Sequence, residues 1–136
     1  NVRRPDPLQV GKTLLACHAR GAGILRKIDP DVIHGHNLNS SMFSVTLARR
    51  LGIPHVFEPH TDLLEEAIFE GRFERGSIPH EVLKWVRDYV VRKSDLVVTL
   101  STRYRKRLES MYPDKKFLNL PGGVPDDFFE DHSLPN

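Results

Sequence analysis

Two histidines, His34 and His36, stand two positions apart in the chain. Side chains at this spacing share one face of a β-strand, so the two imidazoles should lie side by side. A pair of imidazoles can bind a metal ion, but a metal site needs further ligands, and none lies at a helpful spacing in the sequence. Imidazoles at strand ends usually form local hydrogen bonds instead. The sequence therefore predicts no metal site.

His60 is the candidate for a catalytic side chain. Glu58 and Asp62 flank it, each two positions away. A neighbouring carboxylate can set the tautomer and the charge of an imidazole, so that the ring can hydrogen-bond to a substrate or exchange a proton with it. The alternative is a surface histidine that is merely paired with a carboxylate.

These residues lie near the ends of short apolar runs that alternate with segments of helical period. Gly52 is placed to end one helix in a left-handed conformation, and Ser101 to cap another. The predicted strands are 31–36, 54–58, 96–100 and 116–120. The predicted helices are 8–28, one from Asn39 or Ser40 to about 51, 61–70, one that begins near Pro79, and 101–111.

Alternation of strands and helices predicts an α/β protein with a doubly wound, Rossmann-like parallel sheet. The strands are continuous apolar runs, which favours burial by helices on both faces. Ligands of such sheets bind beyond the carboxyl ends of the strands. Small or hydrogen-bonding residues at those ends suit sugar hydroxyls and phosphates, although each could be an ordinary loop residue. The candidate substrate-binding residues are His36, Asn37, Glu58, Asp62, Ser101, Gly122 and Gly123.

The composition narrows the function classes. The chain has 136 residues, 39% hydrophobic and 28% charged, which suits one globular domain. A net charge of +2 gives no argument for nucleic acid as a partner. Cys17 is the single cysteine, which favours a reducing compartment, and no apolar run reaches the ~20 residues of a membrane span. Arg103, Arg105, Lys106 and Arg107 predict a solvated helix face, with anionic lipid or phosphate as the alternative partner.

Four stretches of the sequence carry a resemblance to a known family. They are residues 29–37 (DPDVIHGHN), 48–60 (ARRLGIPHVFEPH), 94–101 (SDLVVTLS) and 120–125 (LPGGVP) with Phe128. In this order and spacing they resemble PDVIHAHN, an LGIP turn before a strand that ends in histidine, ADLVVTVS, and IPNGVD…F. These motifs belong to the N-terminal domain of the retaining glycosyltransferase family 4, which has the two-lobed GT-B fold.

The resemblance implies that a sugar moves, with retention, from a nucleotide-diphosphate sugar to a hydroxyl acceptor, with no cofactor required. His60 falls on the family histidine that reaches the sugar-transfer site. Gly123 falls on the glycine beside the cleft, and Ser101 on the serine that opens the next helix. Two positions depart from the family pattern, because Gly122 replaces the usual Asn and Pro125 the usual Asp.

The resemblance also divides the chain. Residues 1–124 would be a partial N-terminal lobe that mainly binds acceptor, and 125–136 the start of the passage to a C-terminal lobe. The first strand with its glycine-rich loop would precede residue 1, and the C-terminal lobe, with most nucleotide contacts, would follow residue 136. The isolated chain is therefore expected to be inactive. The implied partners are a nucleotide sugar and a sugar, lipid-linked or small-molecule acceptor, and the expected location is cytoplasmic or peripheral at the inner membrane face.

Two other function classes remain open at this point. GT-B architecture also serves nucleotide-sugar epimerases, which dependence on an acceptor would separate from transferases. The chain could also be a non-catalytic α/β binding module, in which case His60 would be replaceable.

Overall fold

The computed structural model describes residues 7–123 of the chain, in which helices and strands alternate. The helices are α1 (Pro7–Ile28), α2 (Asn37–Leu51), α3 (Leu63–Phe69), α4 (Ile78–Lys93) and α5 (Thr102–Met111). The strands are β1 (Ile33–His36), β2 (His55–Glu58), β3 (Leu96–Thr99) and β4 (Phe117–Asn119). The four predicted strands are confirmed, each one or two residues shorter than expected. The predicted passage at 125–136, with Pro125 and Phe128, lies outside the described residues.

The four strands form one parallel sheet in the order β1-β2-β3-β4. The α/β class with a parallel, Rossmann-like sheet is therefore confirmed. Because all four strands run the same way, their carboxyl ends lie along one edge of the sheet. In the register of β1 and β2, His36 lies opposite Glu58 and Gly35 lies opposite Phe57. This register decides which side chains meet at the carboxyl edge.

Two of the predicted helix ends are confirmed, and one is not. Gly52 has a φ of 71°, and its N–H donates to the carbonyl oxygen of Ala48, which ends α2. The hydroxyl of Ser101 accepts a hydrogen bond from the Tyr104 N–H at the start of α5. The prediction that Asn39 or Ser40 caps α2 is wrong, because His36 already occupies the cap position. Ser40 bonds back to the carbonyl oxygen of His36.

The core lies between the sheet and the helices α2, α4 and α5. Its fully buried members come from the strands and from all three helices, and include Val45, Val90, Val97 and Leu108. Removing one such side chain from water stabilises the fold by roughly 1.5–3 kcal/mol, so these contacts fix the helices against the sheet.

Burial of the strands is more one-sided than the sequence predicts, in the part of the chain that the structure describes. Gly35, Phe57 and Val97 share the face that packs against the helices, and all three are buried. On the opposite face, His34 and His36 are exposed and Leu118 is 43% exposed. The two histidines therefore stand on the more open face of the sheet.

None of the helices described within residues 7–123 combines the length and the apolar character needed to cross a bilayer.

Candidate functional site

Three imidazoles surround one carboxylate at the carboxyl ends of β1 and β2. We call His34, His36, Glu58 and His60 the histidine–glutamate cluster. Glu58 Oε2 lies 2.9 Å from His34 Nε2, and Glu58 Oε1 lies 3.2 Å from His60 Nε2 and 3.7 Å from His36 Nδ1. The expected role of Glu58 as a partner of His60 is thus matched by a direct contact between their side chains.

The strand register assembles this cluster. Because His36 and Glu58 are paired across β1 and β2, their side chains emerge on the same face, and His34 follows at the period of two. His60 lies just past the end of β2 and turns its ring back towards Glu58. The side chain of Glu58 is only 14% exposed, whereas the three imidazoles are 42–53% exposed. The rings therefore cover the carboxylate and remain open to a ligand.

His36 and His60 contact each other directly. His36 Nδ1 lies 3.1 Å from His60 Nε2, and the two rings are nearly perpendicular. Such a contact requires a proton on one nitrogen and a lone pair on the other. If His60 Nε2 carries the proton, it can be shared between Glu58 Oε1 and His36 Nδ1, so one tautomer satisfies both contacts. The cluster therefore has the means to fix the orientation and tautomer of His60.

Asp62 has a different neighbour from the one that its position in the sequence suggests. Its carboxylate lies 3.0 Å from a guanidinium nitrogen of Arg107, and its side chain is nearly buried. Arg107 also donates to Glu65 over 2.9 Å. Of the two carboxylates that flank His60 in the sequence, Glu58 contacts the imidazole, whereas Asp62 ties the segment before α3 to α5. Substrate binding by Asp62 stays a prediction.

The basic cluster on α5 is divided between two environments. Arg107 joins the contacts just described, and Arg105 lies 3.7 Å from Glu109 on the same helix. Arg103 and Lys106 are exposed, as expected of a solvated face. Contact with anionic lipid stays a prediction that depends mainly on these two side chains.

A cleft with a volume of about 290 Å³ lies beside the histidine–glutamate cluster. It separates the start of α2 from the start of α3, so it is lined by residues that follow β1 and β2. Asn37 stands at its rim with a φ of 62°, a left-handed conformation that asparagine tolerates better than most residues. The lining residues are Asn37, Leu38, Asn39, Thr61, Leu63 and Glu66.

Asn39 and Glu66 line the cleft although the sequence predicts no binding role for either. Thr61 donates its hydroxyl hydrogen to Glu66 over 2.8 Å, which closes one wall of the cleft. The signal available in the sequence was weak, because these are ordinary polar residues in a loop and at the start of a helix. Asn39 and Glu66 line one cleft only because the starts of α2 and α3 face each other in the fold.

The other predicted site residues lie farther along the same edge. With strands about 4.8 Å apart, the end of β3 is roughly 10 Å from that of β1, and the end of β4 roughly 14 Å. Ser101 follows β3, and Gly122 and Gly123 follow β4. Both glycines are exposed, and a Cβ atom on either would meet no atom within 4 Å. The structure thus places all of these residues along one edge of the sheet, and their binding of substrate stays a prediction.

Gly35 is required by packing. A Cβ atom at this position would lie 2.5 Å from the Ser41 hydroxyl oxygen, 2.7 Å from that of Ser44 and 3.0 Å from His55 Nε2. α2 therefore approaches β1 so closely that only glycine fits between the two histidines. This contact fixes the position of β1 relative to α2, and with it the positions of His34 and His36.

His55 is a buried neighbour of the site. Its ring nitrogens contact two hydroxyl groups, Ser94 Oγ at 2.9 Å and Ser44 Oγ at 2.8 Å. Burial lowers the pKa of His55 to about 4, although the negative charge of Asp95 opposes this shift. The imidazole is therefore neutral at physiological pH, and its position indicates a structural role.

The register also supplies a third potential metal ligand that the spacing of the sequence hides. One ligand atom from each of His34, His36 and Glu58 lies within 4.8 Å of the other two. The sequence offered only the pair of histidines, because Glu58 is 22 positions away from His36 and joins them through the pairing of two strands.

A parallel α/β sheet with polar side chains gathered beyond the carboxyl ends of its strands is a Rossmann-like lobe, a class of fold whose ligands bind at those ends. The Glycosyl transferase 4-like domain matches residues 2–120, so the chain belongs to this family. No curated protein sequence matches the chain significantly.

A similar fold occurs in Glycyrrhiza uralensis UGT73P12, whose crystal structure was solved with glycyrrhetinic acid 3-O-monoglucuronide. The two proteins are 14% identical, with a TM-score of 0.57 over 93% of this chain. The chain spans 33% of the length of that protein. The likeness shows that the fold is that of a lobe of a GT-B glycosyltransferase.

Proposed function

We propose that the protein transfers a sugar, with retention, from a nucleotide-diphosphate sugar to a hydroxyl acceptor, and that this lobe mainly binds the acceptor. The observation that carries the proposal is the contact of His60 Nε2 with Glu58 Oε1, 3.2 Å away, beside a cleft of sugar-ring size. Membership of the glycosyl transferase 4-like family supports the class of reaction.

His60 is the proposed catalytic residue. Its described contacts use Nε2, which leaves Nδ1 for a hydroxyl of the bound sugar. An imidazole that is held by a carboxylate and by a second imidazole loses little freedom when substrate arrives. It can therefore keep the reacting hydroxyl at a fixed distance from the sugar that is transferred.

The acceptor is proposed to lie in the cleft, with its hydroxyl groups in reach of His36, Asn37 and Glu58. Departure of the nucleotide diphosphate leaves negative charge, which preorganised backbone amides and cationic side chains must stabilise. Ser101, Gly122 and Gly123 lie roughly 10–14 Å along the edge and would line the donor side of the site. A second lobe would supply the remaining donor contacts. No cofactor is needed for this reaction.

The test is sugar transfer by the complete native protein and by its His60→Ala variant. UDP-glucose, UDP-galactose, UDP-N-acetylglucosamine and GDP-mannose serve as donors with a panel of hydroxyl acceptors, and NMR of the product reports its anomeric configuration. His60→Ala should lower kcat by roughly 10²–10⁴. His18→Gln is the control, because His18 lies on α1, outside the cluster.

A variant with wild-type turnover would contradict the assignment of His60. An inverted anomeric centre would contradict the proposed stereochemistry. Conversion of the donor sugar in the absence of any acceptor would indicate an epimerase instead.

A further inference from the structure

We infer that the histidine–glutamate cluster is a binding site for Zn²⁺ and that the bound ion inhibits the protein. The inhibition rests on the proposed function, because it requires His60 and Glu58 to act in sugar transfer. Binding of the ion itself does not depend on that proposal.

Four of the separations between ligand atoms are close to those of a tetrahedral zinc site. With Zn–N and Zn–O bonds of about 2.0–2.1 Å, neighbouring ligand atoms of a tetrahedron lie about 3.3 Å apart. Four separations in the cluster are 2.9 Å (His34 Nε2 to Glu58 Oε2), 3.1 Å (His36 Nδ1 to His60 Nε2), 3.2 Å (His60 Nε2 to Glu58 Oε1) and 3.7 Å (His36 Nδ1 to Glu58 Oε1). Each is within about 0.4 Å of that value, and His34, His36 and Glu58 each offer a ligand atom within 4.8 Å of the other two. Rotation of the carboxylate and of the His60 ring would then bring one oxygen and three nitrogen atoms around an ion.

The chemistry of the four groups also suits zinc. Imidazole nitrogen and carboxylate oxygen are ligands of borderline character, and Zn²⁺ accepts both in fourfold coordination. Ca²⁺ and Mg²⁺ prefer shells made entirely of oxygen atoms, which this cluster does not offer. The selectivity should therefore favour Zn²⁺ and Co²⁺ over the two hard cations.

Proton positions need only local changes for the ion to bind. A histidine that ligates through one nitrogen carries its proton on the other, so His34 and His60 would bind as Nδ1–H tautomers. His36 ligates through Nδ1, which is the acceptor if His60 donates to it. Three neutral imidazoles and one carboxylate bind the dication, so the charge of the cluster changes from −1 to +1. No oxidation or net proton loss is involved.

The cluster is rigid and accessible at the same time. His34, His36 and Glu58 lie in two strands that are hydrogen-bonded to each other, which fixes their backbone positions. The three imidazoles are about half exposed, so an ion can reach their nitrogen atoms from solvent. An ion at this place would occupy Nε2 of His60 and the carboxylate of Glu58, and would therefore displace the contact proposed to orient His60.

The direct test is titration of the untagged, chelator-treated protein with Co²⁺, followed by visible absorption spectroscopy. Fourfold coordination should give one intense band system per chain, and one equivalent of Zn²⁺ should abolish it. His34→Gln should weaken Co²⁺ binding at least tenfold, and His36→Gln should do the same. His80→Gln is the control, because His80 lies on α4 and contacts Glu81 and Gly76, neither of which belongs to the cluster, and this variant should bind Co²⁺ like the wild type.

Two results would overturn the inference. One is a weak spectrum of octahedral type in the wild-type protein. The other is equal Co²⁺ affinity in the wild type, His34→Gln and His36→Gln, with all three shown to be folded by circular dichroism.

The inhibition is measured in the complete native protein after removal of metal by EDTA. Zn²⁺ should lower sugar transfer at the concentration that fills the site, and His34→Gln should need at least tenfold more Zn²⁺ for the same effect. The two proposals can fail separately. If the cluster binds no Co²⁺ but His60→Ala abolishes transfer, the metal inference is wrong and the proposed function stands. If Co²⁺ binds but His60→Ala transfers sugar normally, the metal site stands and the catalytic role of His60 is wrong.

Discussion

His36 and His60 lie 24 positions apart in the chain, and their ring nitrogens Nδ1 and Nε2 lie 3.1 Å apart at the carboxyl edge of the sheet. Both rings also approach the same oxygen of Glu58, at 3.7 and 3.2 Å. One carboxylate thus holds two imidazoles that arrive from different strands. The arrangement predicts that loss of the charge on Glu58 disturbs His60 more than it disturbs the fold.

Glu58→Gln tests this relationship. The amide keeps the size of the side chain but holds an imidazole N–H less strongly than a carboxylate does. We expect sugar transfer by the complete protein to fall roughly 10–100-fold, mainly in kcat. NMR of ¹⁵N-labelled histidine should show a mixture of tautomers for His60. Glu109→Gln, on α5, is the control, and unchanged tautomers in Glu58→Gln would contradict the proposed role of the carboxylate.

Gly35→Ala tests the contact between β1 and α2. The added methyl group would lie under 3 Å from the hydroxyl oxygens of Ser41 and Ser44, so the helix must move or the hydroxyl groups must rotate away. We expect a loss of about 1–3 kcal/mol in the free energy of unfolding, measured by urea denaturation.

Gly23→Ala is the opposite control. Gly23 lies inside α1, and a Cβ atom there meets no atom within 4 Å. This substitution should stabilise the protein by about 0.5–1 kcal/mol, because alanine favours helix over the unfolded chain. Equal effects of the two substitutions would show that the close approach at Gly35 is not a constraint.

The lowered pKa of His55 predicts how the stability of the fold depends on pH. Its pKa is about 4 in the folded protein, against 6.5 in an unfolded chain. Between these values the unfolded chain binds a proton that the folded protein does not bind, so stability is full above pH 6.5 and is lost as pH falls towards 4. The contribution is on the order of 3 kcal/mol.

The measurement is urea denaturation from pH 4 to 7. His55→Gln removes the titrating group and keeps a neutral side chain between Ser44 and Ser94, so the slope of stability against pH should flatten even if the variant is less stable overall. The same slope in the variant and the wild type would assign the pH dependence to other groups.

Arg107→Met tests the link between α5 and the segment before α3. The carboxylate of Asp62 is nearly buried and would lose its cationic neighbour. We expect a loss of roughly 1–2 kcal/mol at pH 7. Arg103→Met is the matched control, because Arg103 is exposed on the same helix and should change stability by less than about 0.5 kcal/mol.

Acid should reduce the difference between Arg107→Met and the wild type. Hydrogen bonds from Arg75 and Arg107 lower the pKa of Glu65 to about 2, against 4.5 for the free side chain. The stabilisation that Glu65 gains from the two arginines is present above pH 4.5 and is lost as pH falls through 2. A difference that stays constant down to pH 2 would exclude the contacts of Glu65 as the source of the effect.

The sequence predicted the strands and two helix ends because these depend on local properties. The apolar runs are too short for a typical helix and are rich in β-branched residues, which favours a strand, and a glycine such as Gly52 ends a helix through its own backbone preference. The start of α2 was predicted too late, because His36 is a poor capping residue by type and holds that position only because β1 ends there.

Contacts within the site were harder to predict, because they depend on register and on turns. His34 and Glu58 meet through the pairing of β1 with β2, which no spacing within the chain reveals. His60 and Asp62 are two positions apart, but they lie outside the strand, so the period of two does not apply. The side chain of His60 therefore joins the histidine–glutamate cluster, whereas that of Asp62 contacts Arg107.

Gly35, between His34 and His36, also disfavours a wrong register of β1 against β2. If β1 slipped by one residue against β2, an imidazole would be driven into the space beneath α2 where even a methyl group collides with Ser41 and Ser44. A strand shifted in this way could not pack beneath α2. The same residue that leaves room for α2 makes correct alignment of the two histidines a condition of folding.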